Sequence, residues 1–177
     1  IEESLASVAK ELFKEAQETN NPSTYRAAAD KFQEYLNKFP IADNYFELQW
    51  LLANALQNAS PTEPDRPWGP YEEAVKEFES LLQSSKHHDY GDGSLINLVQ
   101  ARRRIVETRP ELGPVNLLPP QAEVLRTYTT SSNKPITVYK LSDQHKAYIA
   151  AADAALNHEF HEPEEGDPFD ALSVFEQ

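Results

Sequence analysis

Two stretches of this sequence are versions of one pattern. Residues 25–36, YRAAADKFQEYL, and residues 71–82, YEEAVKEFESLL, align without a gap. They match at Tyr25 and Tyr71, Ala28 and Ala74, Phe32 and Phe78, and Leu36 and Leu82, each pair 46 residues apart. Self-similarity at a fixed period marks stacked units that cannot bury their apolar faces alone. Within each stretch the matched positions recur at the spacing of one helical face, so all four are expected on a buried stripe. Ala28 and Ala74 fall where a partner helix must pass closely, and a larger side chain there would overpack the contact. That requirement accounts for the thin, alanine-rich middle of the helix that stops at Pro40.

The rest of the chain up to Thr108 reads as further helices with no strand signal. A first helix is predicted over Glu2–Thr19, with Leu5, Val8, Ala9, Leu12, Phe13 and Ala16 on one stripe. TNNPS interrupts it, and Ser23 is the expected N-cap of the second helix. A third helix is predicted over Ala42–Ala59, apolar nearly all round at Trp50–Ala53, which calls for neighbours on more than one side. The prolines of SPTEPDRPWGP impose a loop before a fourth helix, Tyr71–Ser84, and SKHHDYGDG separates that from a fifth, Ser94–Thr108. Beyond Pro110 the pattern changes. RPELGPVNLLPP is irregular, and EVLRTYTT-SSNK-PITVYK has the β-branched and aromatic flanks of a β-hairpin. Ser142 then caps DQHKAYIAAADAALNHEF, a helix with Tyr148, Ala151, Ala152 and Ala155 on one face; an acidic end follows, with a short helix expected from Asp167.

The spacing Ala28-x3-Phe32 followed by Pro40 resembles the second-helix signature of the tetratricopeptide repeat. Under that resemblance, residues 9–40 form one repeat, with Leu12 and Ala16 at its bulky and small first-helix positions. Ala53 with Ala74 and Phe78 marks a second, and Ser94–Thr108, with Ala101, the first helix of a third. The match spans roughly residues 2–108. It departs from the family at Tyr35 and Leu81, which replace a small residue, and at the second repeat, which carries the proline-rich insertion and ends in SSKHH without a proline. Within the family the chain is most similar to bacterial envelope proteins, namely outer-membrane assembly lipoproteins, Tol-associated periplasmic repeat proteins and gliding-motility repeat lipoproteins. The resemblance implies an all-α solenoid of antiparallel helix pairs over residues 1–110. Residues 111–177, with the hairpin, a helix and the acidic end, would pack as a cap.

The same resemblance implies a groove lined by first helices that grips peptides or partner proteins. Carried over by position, its lining is Lys10, Phe13 and Gln17, then Glu47, Trp50, Asn54 and Gln57. Asn and Gln there suit bonding to an extended peptide backbone, and Trp50 suits an anchoring role. The competing reading makes Phe13 and Trp50 ordinary core. The function implied is a protein-binding scaffold of a cell-envelope complex, on the periplasmic side or otherwise cytoplasmic. A different class, a small-ligand or glycan-binding helical lipoprotein, would need a pocket walled by Trp50, Trp68 and tyrosines.

Composition narrows the alternatives. A formal charge of −13 repels a phosphate backbone and argues against nucleic acid as a partner. The chain has 0 cysteines, which removes disulfides, thiolate nucleophiles and most structural zinc sites. Opening at Ile1 inside a helical pattern, it reads as a mature product or an excised segment. No apolar run reaches the about 18 residues of a membrane span, so membrane association is expected only through a lipid anchor outside it. No glycine-rich phosphate loop, G-x-S-x-G or catalytic cysteine is present, so no enzyme activity and no cofactor are expected. His158 and His161 in HEFHE could face one metal ion, yet a solvated helix end is the plainer reading, and KHHDY reads as loop. Arg102, Arg103, Arg104 and Arg109 form a basic cluster that either pairs with local acids or docks the acidic end.

Overall fold

The structure, a computed structural model, describes residues 2–59, 62–84, 90–109, 124–139 and 141–160. The chain is dominated by helices: α1 (Glu2–Thr19), α2 (Pro22–Lys38), α3 (Tyr45–Asn58), α4 (Gly69–Gln83), α5 (Gly91–Thr108) and α6 (Asp143–Leu156). Each helix packs mainly on its neighbours in the chain, from α1 on α2 through to α5 on α6. Short connections make a helix run back along its predecessor, so the unit of construction is the helical hairpin. Between α5 and α6, Val124–Thr129 (β1) and Pro135–Tyr139 (β2) pair antiparallel, with a register irregularity between Val124 and Arg126. Asn133, at φ 59°, takes the left-handed turn position between them.

The core follows the repeated pattern. Ala28, Phe32, Ala74 and Phe78 are fully enclosed, and Ala9, Ala16, Ala53 and Ala101 are likewise inaccessible. Small residues at the crossings let helices approach, while the aromatic rings fill the space beside them. Phe13 packs edge-on against Tyr25 and Phe32, with centroids 5.7 and 6.1 Å away. A polar bond ties α2 to the turn before α3: the Tyr35 hydroxyl donates to Asn44 Oδ1 at 2.7 Å. Buried Gln49 of α3 spends its amide on α4, donating to Glu77 at 2.9 Å and Ser80 at 3.0 Å.

Several expectations need correction. Leu82 is 37% exposed, and Leu81, at 2%, takes the buried place instead. From Phe78 both residues lie one turn on, and the surroundings decide between them. In α2 both Tyr35 and Leu36 are buried, and the Phe39 ring lies 5.0 Å from that of Tyr35. Val8, expected on the first stripe, is exposed. Asn21, not Ser23, caps α2, its Oδ1 accepting from the Ser23 amide at 2.9 Å while Pro22 occupies the first turn, where a missing N–H costs nothing. Residues 42–44 form a turn, so α3 starts at Tyr45, and α4 and α5 start earlier than predicted, at Gly69 and Gly91. Ser142 does cap α6, accepting from the His145 amide at 3.2 Å, but the helix ends at Leu156. His87, His88, His161, the irregular segment from Pro110, the acidic end and the short helix expected from Asp167 lie outside the described residues.

Candidate groove on the α1, α3 and α5 face

Alternate helices meet on one side of the array: α1 approaches α3, and α3 approaches α5. The reason is geometric, since α2 and α4 lie between them in the chain and occupy the other side. Along α3, Glu47, Trp50, Asn54 and Gln57 recur at helical spacing and therefore share this face. Lys10 of α1 reaches across to Glu47, Nζ to Oε1 at 2.5 Å, tying the first two helices of the face together. Both side chains remain substantially open to water, so this is a surface ion pair of modest strength.

On the other flank the contacts are between amides. Asn54 donates to its own helix at the Trp50 carbonyl, 2.8 Å, and accepts at Oδ1 from Asn97 Nδ2 of α5, 3.1 Å. Gln57 donates through Nε2 to Gln100 Oε1 at 3.3 Å, while its own Oε1 is buried with no hydrogen-bond partner among the described residues. Trp50 is half-buried, its ring centroid 6.4 Å from that of Tyr90. Gly93 lies against the indole, for a Cβ there would stand 3.5 Å from Trp50 Nε1.

Five of the seven residues expected to line the groove thus make or flank contacts across this face: Lys10, Glu47, Trp50, Asn54 and Gln57. Phe13 does not line it; it is a core ring on the α2 side, which corrects the expectation. Gln17 is exposed near the end of α1 and bonds to none of the others. The sequence reading passed over the α5 contribution, Tyr90, Gly93, Asn97 and Gln100. A signal for it existed. Asn54 and Asn97, and Gln57 and Gln100, are identical pairs 43 residues apart, as are Leu52 and Leu95. This spacing of 43 residues, between α3 and α5, is shorter than the 46 residues between the matched stretches of α2 and α4.

The basic cluster finds local acids. Arg102 pairs with Glu79, Arg103 and Arg104 with Glu107 at 2.8 and 3.0 Å, and Arg109 with Glu72 at 3.7 Å, its guanidinium 5.1 Å over the Trp68 ring. Trp68 is therefore part of the packing of the proline-rich connection on α4 and α5. His158 meets Asp92 at 2.7 Å, bringing the chain after α6 back to the start of α5. Among the described residues no cluster of three or more His, Asp or Glu side chains is placed to hold a metal ion, and no helix is long and apolar enough to cross a membrane. No protein-family model matches the chain, and neither a curated protein nor a solved structure matches it.

Proposed function

We propose that this chain is a non-enzymatic protein-binding scaffold built of tetratricopeptide-like helix pairs, stacked as a solenoid whose α1, α3 and α5 face is the binding groove. The C-terminal hairpin and α6 cap the stack. The observation that carries the reading is the face itself: among the described residues, three alternate helices present an ion pair, an aromatic ring and four carboxamides. Amide and aromatic side chains on one helical face suit capture of an extended polypeptide. The assignment to a bacterial cell-envelope complex, on its periplasmic side, rests on the sequence resemblance to repeat lipoproteins.

Site-specific photo-crosslinking in cells tests it. With the photoreactive residue at Asn54, the intact protein is expected to trap a discrete partner; at Gln33, exposed on α2, it traps none. Equal labelling from both positions, or labelling from Gln33 alone, contradicts the groove. A discrete glycan in place of a protein would move the reading to the glycan-binding class.

A further inference from the structure

The first turn of α5 is held from outside itself. Its N-cap, Tyr90, makes no side-chain bond to the free amides, and Gly91 and Gly93 are poor helix formers. Asp92 supplies the turn with a carboxylate, only 13% exposed, whose Oδ1 lies 2.7 Å from Nε2 of His158, 66 residues along the chain. His158 directly follows Asn157, the C-cap of α6, and its backbone amide donates to the Ala155 carbonyl at 3.3 Å. Its ring stands edge-on to Phe160, with centroids 4.9 Å apart. An anion at the start of one helix thus meets a ring that can turn cationic at the end of the next, and both helix dipoles favour that polarity. The last turn of α6 has no basic residue, so His158 is the group that can bring positive charge to that end. The turn it holds is also a wall of the groove: Tyr90 stands 6.4 Å from Trp50, and the backbone at Gly93 lies against the indole.

Resting on the scaffold reading, we propose that Asp92 and His158 form a proton-operated clasp that sets the first turn of α5 and, through it, the wall of the groove at Trp50. Histidine is the side chain that changes charge between about pH 5 and 8. As an imidazolium, His158 makes a charge-assisted bond to Asp92 that closes the start of α5 onto the end of α6. As a neutral ring it makes a weaker one. The clasp is therefore closed on the acid side of that range, with the Asp92 carboxyl ionised, and loosens as pH rises through it. The charges beside the ring have the sign this needs. Asp92 faces it from α5, and its own segment brings Glu159 and Asp153, whose carboxylate accepts from Asn157 at 3.4 Å. From α3 come Trp50 and, one turn before it, Glu47, which is committed to Lys10. Lys86, His87, His88 and Asp89, and on the other side His161 and Glu162, adjoin the contact in sequence and lie outside the described residues. His145 is on Ser142 at the opposite end of α6, about 20 Å away by the rise of the helix, and does not reach this contact.

Solution NMR of the intact chain between about pH 5 and 8 tests it. The indole signal of Trp50, told from that of Trp68 by Trp68→Phe, is expected to shift along the same curve as the His158 ring. The amides of Ser94, Leu95 and Ile96 bond back to residues 90–92 in an α-helix, so they report on the turn. Their protection against hydrogen exchange, corrected for the intrinsic pH dependence, is expected to fall about threefold to tenfold from the acid to the alkaline end, the size of a charge effect at helix ends. His158→Gln should abolish both responses and leave protection at its alkaline level. His158→Lys, a cation throughout, should hold protection at its acid level. His158 is exposed, so both variants are expected to fold. Responses that persist in His158→Gln, that follow the curve of another histidine, or that are absent from the wild-type chain overturn the inference. If Asn54 still crosslinks a protein partner in cells in any of those cases, the groove stands and its control by His158 does not. If the clasp responds as expected while Asn54 crosslinks nothing, the groove reading is the one that fails.

Discussion

Ala28 and Ala74 are inaccessible while Ala27, one position away on the same helix as Ala28, is exposed. Side-chain volume is therefore constrained on one stripe and free on the next. Ala28→Leu and Ala74→Leu are expected to destabilise the fold by about 1–3 kcal/mol through overpacking, with Ala27→Leu near neutral. Thermal and urea denaturation of the three variants measure this, and equal midpoints at positions 27 and 28 would contradict the packing. Glu34 makes a second residue-level case. Hydrogen bonds from Lys31 and Lys38, followed by their charge, hold its carboxyl well below the ordinary carboxylate range, at about 2. A depressed carboxyl contributes stability that is present above its unfolded value and lost as pH falls toward the folded one. The contribution is expected to fade between about pH 4.5 and 2, and Glu34→Gln removes that pH dependence. Carboxyl NMR should place the midpoint below the ordinary range; a midpoint at 4.5 would show that water and salt outweigh both lysines. Much at this scale was readable from spacing alone, including Tyr25, Phe32, Phe78 and the alanines. Phe13 belongs with them, since the stripe marked it as core and only the groove implied by the resemblance misplaced it; Leu82 was not readable, because periodicity marks an arc of a helix and the neighbouring helix selects the residue within it.

Helices as elements were legible, and their ends were less so. Pro22 and Asn21 illustrate why. Composition made Ser23 an attractive cap, but a proline favours the first helical turn, which moves the cap to the residue before it. Asn21→Ala is expected to lower stability by about 0.5–2 kcal/mol and Ser23→Ala by much less. Denaturation midpoints decide between the two, and a larger loss at Ser23 would restore the original expectation. At the other end of α1, Asn20 adopts φ 49°, the left-handed geometry that asparagine tolerates, so both residues of the turn are spent on helix ends. Just before α3, Asn44 accepts from the Tyr35 hydroxyl, and backbone bonds from Ala42 to Phe39 and from Tyr45 to Ala42 hold the turn that precedes the helix. Such long-range demands on short segments leave no local trace in a sequence.

For the molecule as a whole, sequence pattern carried the order of helices and half of the candidate face. The other half required knowing which helices meet. Trp50 shows the difference: its surroundings in sequence allow either an anchor or a core ring, and the fold sets it between α3 and α5, beside Gly93 and Tyr90. Trp50→Ala is accordingly expected to cost about 1.5–3 kcal/mol in stability as well as any affinity, from loss of a large half-buried surface. An unchanged melting temperature would make Trp50 a contact residue only.

The central claim is that α1, α3 and α5 share one face, and the absence of cysteine from the chain permits a direct measurement. Cysteine pairs at Lys10 with Glu47 and at Asn54 with Asn97, treated with a short bifunctional thiol reagent, are expected to close within one chain, as mass spectrometry of the digested product reports. A pair at Gln33 with Asn97, on opposite sides of the array, is expected to stay open. Closure of the last pair in preference to the first two would contradict the claim.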